Sequence, residues 1–242
     1  MVIFIDPNDF IDQNLIKTVN KLNKLMSKNK KEKIKEIIEE LEQFSKVVHL
    51  NVQALYILSI VAEKFPQFFN KNNIEFIKKN LDTNNVKAKI NTLIIIGFYL
   101  RENLKKEKAL VKEFLNYLKE DNKEIIENIL FFLTYFAEKE PEIIENNNDA
   151  IFNLLYKEKD IKKIQIVLEI VDKCKLRNLS LLIGIRDALK FLIKTQKDEE
   201  ILNRAINILS KFIPAVKDIE YSTDNKKEIL ETISNKLLLK RY

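Results

Sequence analysis

Two glycines in 242 residues constrain this chain more than any other feature. Hairpin turns and phosphate-cradling loops need glycine where φ is positive. Gly97 and Gly184 cannot supply a set of such turns, and both lie inside apolar stretches. Four prolines add little further punctuation. The chain is filled instead by Leu, Ile, Lys, Glu and Asn, residues that a helix accepts. With 46% apolar and 32% charged residues, it is expected to be globular and all-α.

The apolar periodicity says where the helices fall. Asp6-Pro7 reads as a helix start, followed by the stripe Ile11, Leu15, Val19, Leu22, Met26. Ile34, Ile37, Ile38, Leu41 and Phe44 mark one buried face of an amphipathic helix. Residues 50–65 are apolar nearly all round, which predicts burial on several sides. Amphipathic and apolar segments then alternate to about residue 213, separated by short polar breaks such as Asp82-Thr-Asn-Asn85 and Glu120-Asp-Asn-Lys123. No break is long enough for a flexible interdomain linker, so residues 1–242 are expected to form a single domain.

The apolar segments repeat. Aligned on Ala54, they place Ile90, Ile129, Ile166 and Ala205 in register, at spacings of 36, 39, 37 and 39 residues. One helix pair per period of about 38 residues is the mark of a helical solenoid. The stretch from Ile74 through Asp82, Val86, Lys87 and Ile90 to Leu93 resembles a HEAT repeat. Leu50, Ala54, Ile57, then Ile125, Ile129, Phe132, then Ile201, Ala205, Ile208 fit the same spacing, with Asp82, Asp121 and Asp198 in the turns. The fourth copy departs, with Gln165 where a small apolar residue belongs. The resemblance spans residues 29–213. It implies a right-handed α-solenoid of about five HEAT-like (armadillo-like) helix pairs, closed by capping helices at residues 8–26 and 226–240.

Chemistry is sparse. One cysteine, Cys174, and one histidine, His49, permit neither an intrachain disulfide nor a usual zinc site. Cys174 continues a core stripe and His49 has no catalytic partner. Glycine-rich phosphate loops are absent, and Gly97 and Gly184 read as close helix–helix contacts. Adjacent acids such as Glu39-Glu40 diverge on a helix and form no dyad. Phe131, Phe132, Tyr135 and Phe136, crowded on one apolar helix, read as core. No enzyme activity, cofactor or metal is therefore expected. A signal peptide and an apolar run of the roughly 20 residues that span a bilayer are both lacking, so a cytoplasmic protein is expected.

Two functional readings remain. A solenoid presents a long groove lined by the second helix of each pair, which suits a non-enzymatic protein-binding scaffold or adaptor. Asn51, Lys87, Lys163, Arg204 and Lys211 are the candidate groove residues. The alternative is nucleic-acid binding, from the net charge of +6 and three lysine runs: Lys28 to Lys35, Lys105 to Lys112, and the tail Lys236, Lys240, Arg241. HEAT-like DNA glycosylases share the implied architecture, but their sites rely on Trp with Asp and Arg. This chain has no Trp, which disfavours that activity.

Overall fold

The computed structural model describes residues 5–10, 12–27, 33–143, 148–173 and 179–216, and among them the alternating segments become eleven α-helices. They are α1 (Gln13–Ser27), α2 (Ile34–Ser45), α3 (Asn51–Lys64), α4 (Lys71–Lys78), α5 (Val86–Asn103) and α6 (Lys108–Asn116). After these come α7 (Lys123–Lys139), α8 (Asn148–Lys157), α9 (Ile161–Lys173), α10 (Leu179–Thr195) and α11 (Glu199–Val216). The expected helix at 226–240, and Cys174, lie outside the described residues.

The contacts divide the chain into two compact units, Met1–Phe132 and Leu133–Tyr242, with the division inside α7. In the first unit α1 packs on α2, α2 on α3 and α4, α3 on α5, and α5 on α4 and α6. In the second, α8 packs on α9 and α10, and α11 on α9 and α10. First helices thus stack on first helices and second on second, which defines an all-α, armadillo-like repeat solenoid. The difference between amphipathic and apolar helices follows from this layering. First helices such as α2 bury one stripe (Ile34, Ile37, Ile38, Leu41), whereas α5 buries Ile95 through Leu100 without a break.

Caps place the helix starts. The amide oxygens of Asn85 and Asn122 accept the backbone N–H of Ala88 and Ile125 at 3.1 Å, and Asp198 accepts that of Ile201 at 3.0 Å. Each satisfies a donor the helix cannot, worth about 1 kcal/mol. At the N-terminus the expected start shifts. Pro7–Asp9 is a single 3-10 turn, and α1 begins at Gln13, where Asp12 accepts the N–H groups of Asn14 and Leu15 at 2.9 Å. Asn23, buried in α1, pairs twice with the Ile5 backbone and ties the preceding segment down.

The fourth copy also moves. Its cap is Asp160, whose side chain accepts the Lys162 N–H at 3.0 Å. The third and fifth caps stand three residues before Ile125 and Ile201; three beyond Asp160 is Lys163. The buried triplet there is Lys163, Val167, Ile170, so the register is one residue later than an alignment on Ile166 gives. Counted on Val167, the spacings from Ile129 and to Ala205 are both 38 residues.

Of the two glycines, only Gly97 is required by a close approach. A Cβ built there would lie 2.4 Å from the Phe132 ring, whereas at Gly184 the nearest atom, on Phe152, is 3.6 Å away.

Candidate functional site: the second-helix face of the N-terminal unit

Helix geometry assigns one row of each second helix to this face. A row repeats every three or four residues. On α3 it runs Val52, Tyr56, Ile60, Glu63; on α5, Lys87, Asn91, Ile94, Phe98, Arg101; on α7, Glu124, Asn128, Phe131. None of these residues except Phe98 is fully buried. Tyr56 is 46% exposed and Phe131 61%, a large apolar surface to leave in water.

Where these rows meet the N-terminal turn, a cavity of about 320 Å³ opens. Phe10, Val52, Tyr56 and Ile90 form its apolar wall, and Asp9, Gln53, Lys87, Asn91 and Glu124 supply the polar groups. Asn91 is oriented by donating its amide N–H to the Val52 carbonyl at 3.3 Å, which couples α5 to α3. The cavity contains both charge signs and an aromatic wall, which suits a peptide segment carrying mixed side chains. It holds no paired nucleophile and base, and among the described residues no group of three or more His, Cys, Asp or Glu could hold a metal ion. No described helix is long and apolar enough to cross a membrane.

The candidate groove residues fare differently. Lys87 is exposed and lines the cavity. Asn51 does not line it: its amide donates to the Ser45 carbonyl and to Asn80 Oδ1 at 2.7 Å, locking the start of α3 to the loops around it. Lys163 is the clear correction. It is 4% exposed, and its ammonium lies 3.3 Å from Glu158, so it faces the core of its unit rather than a groove. Burial pushes the Glu158 carboxyl upward, but the backbone N–H groups of Asp160 and Lys159, with Lys163, outweigh it and hold Glu158 below the usual carboxylate range. Arg204 is half-buried on α11, and the side chain of Lys211 lies outside the described residues.

Phe131 is the second correction. Phe132 and Phe136 are core, at 1% and 0% exposure, but Phe131 points outward with its ring 5.1 Å from that of Phe132. An apolar run hides the one position per turn that faces out. The spacing from Glu124 could have shown it, since residues 124, 128 and 131 share a row. Of the lysine runs, Lys105, Lys106, Lys108 and Lys112 are exposed, while Lys28 to Lys31 and the C-terminal tail lie outside the described residues.

Stacked helix pairs presenting a second-helix face define a helical-repeat scaffold of the HEAT/armadillo class. Solved structures agree. The chain is similar to an engineered protein from a structural genomics effort, at TM-score 0.52 and 16% identity, covering 81% of this chain and 97% of that one. It is also similar to a designed armadillo repeat protein (TM-score 0.53, 17% identity, 82% and 97% covered). A third similar structure is a computationally designed armadillo repeat protein for modular peptide recognition (0.54, 16%, 82% and 97%). At these identities the likeness shows the fold alone. A search of curated proteins gave no match. The sequence itself matches the family model of non-SMC mitotic condensation complex subunit 1 (Cnd1) over residues 51–178, and the chain belongs to that family.

Proposed function

We propose that this chain is a non-enzymatic protein-binding scaffold whose second-helix face docks a segment of another subunit in a condensin-like assembly. The observation that carries the reading is the row of side chains on α3, α5 and α7, with Tyr56 lining the cavity around Lys87 and Phe131 presented to solvent two turns beyond Glu124 on α7. Aromatic anchors flanked by polar groups are the usual composition of an interface hot spot. The family name adds the kind of assembly. Lys87 is the groove residue the reading retains; Arg204 and Lys211 stand on α11 in the other unit and are not assigned to this face.

The test is capture of partners by the tagged full chain from native lysate, with and without nuclease, compared with the Tyr56→Ser/Phe131→Ser variant. Both rings are exposed, so the variant should fold. A stoichiometric protein that survives nuclease and is lost with the variant is the expected result. Capture that is indifferent to both substitutions, or that vanishes with nuclease, refutes the reading.

A further inference from the structure

The first-helix layer of the C-terminal unit carries a separate exposed aromatic pair. Tyr156, near the end of α8, is 41% exposed, and Phe191, near the end of α10, is 37% exposed. Their ring centroids are 5.1 Å apart with planes at 50°. The two segments that bear them are basic. Residues 156–163 and 186–194 each carry a net charge of +2, against +6 for the whole chain. Lys157 follows Tyr156 directly, while Lys190 and Lys194 flank Phe191 on its own helix. Burial and the nearby Asp187 charge raise the Tyr156 hydroxyl above its usual range, and Arg186 engages Asp187 at 2.8 Å.

An exposed aromatic pair on two basic segments suits a ligand that is both planar and anionic. A single-stranded nucleic acid meets both demands, since its bases offer π-faces and its phosphates the charge. A duplex hides its base faces, and an acidic peptide satisfies only the lysines. We propose that Tyr156 and Phe191 form a stacking platform for single-stranded nucleic acid, with the exposed Lys157 and Lys159 neutralising adjacent phosphates. This site lies in the other unit from the second-helix face described above and does not depend on the protein-docking reading.

The test is fluorescence anisotropy of a short labelled oligothymidylate with the full chain at low salt. Tyr156→Ala and Phe191→Ala should each weaken binding by roughly 5- to 150-fold, the range for losing one stacked base. Tyr156→Leu/Phe191→Leu keeps the apolar bulk but not the ring faces and should lose binding as well, with helicity unchanged. Lys157→Gln/Lys159→Gln should reduce the log–log salt slope by about 1.4, at roughly 0.7 per phosphate on a single strand. The proposal is overturned if the oligonucleotide does not bind, if the ring variants bind as the parent does, or if a duplex or polyglutamate binds as tightly as the single strand.

Discussion

Substituting Gly97 by alanine tests how the repeats of the N-terminal unit are joined. The added methyl carbon would sit 2.4, 2.4 and 2.6 Å from three atoms of the Phe132 ring. Restoring ordinary contact needs a displacement of about 1 Å, since carbon atoms pack near 3.5 Å. Phe132 has nowhere to go. It is 1% exposed and meets Phe98 edge-on at 5.0 Å and Phe114 at 6.0 Å. Overpacking of this kind costs roughly 1–3 kcal/mol, and the enclosing rings place this site at the upper end. Alanine recovers about 1 kcal/mol of helix propensity over glycine. The net loss is about 2 kcal/mol, which lowers Tm by about 4–8 °C in a chain of this size. Gly184→Ala is the internal control. Its nearest neighbour is at 3.6 Å, so the propensity gain stands and Tm should rise. Thermal unfolding followed by circular dichroism reads both. Gly97→Ala melting at or above the parent, or Gly184→Ala falling as far, would refute the packing argument.

Further predictions follow from the buried polar groups and the repeat. Lys163→Ala strands the Glu158 charge and should cost about 3 kcal/mol, whereas Lys163→Met/Glu158→Gln should be nearly neutral, as denaturant titration will show. Because the folded state holds Glu158 below its ordinary value of 4.5, its contribution is present above that pH and lost as pH falls further. Glu158→Gln should therefore flatten the acid limb of a pH–stability curve. Glu42 has the opposite sign: burial raises its pKa despite the 2.7 Å hydrogen bond from Asn73, so its favourable contribution is lost as pH rises. Glu42→Gln should accordingly raise Tm at neutral pH and leave it unchanged near pH 4. Finally, the single-domain organisation expected from the repeat predicts one calorimetric transition, with equal calorimetric and van't Hoff enthalpies; two resolved transitions would count against it.

The architecture was legible because the repeat fold imposes periodicities that a sequence displays openly. Ile34, Ile37, Ile38 and Leu41 are buried at the spacing that announces them, and the Asn and Asp caps stand in the polar breaks. The scarcity of glycine excluded the alternatives. The site was less legible, because periodicity gives spacing but not phase. Lys163 looked like a groove cation, yet it occupies the position filled by Ile125 and Ile201 in neighbouring copies, and its ion pair with Glu158 makes that burial tolerable. Phe131 looked like core because its helix is apolar on both sides of the outward row. Asn51 is polar for an intramolecular reason, the hydrogen bonds to Ser45 and Asn80. Polarity on a second helix therefore does not by itself mark a binding face. Exposure of large apolar groups marks it better, and exposure is set by which layer the neighbouring repeat covers.

The central claim is that the second-helix face of the N-terminal unit contacts a protein partner. A photo-crosslinking amino acid at position 131, with a matched control at the exposed Lys71 on α4, tests it most directly in native lysate. The account predicts a discrete protein adduct from position 131 that is unaffected by nuclease and absent from position 71. Adducts of equal yield from both positions, or none from position 131, would contradict it.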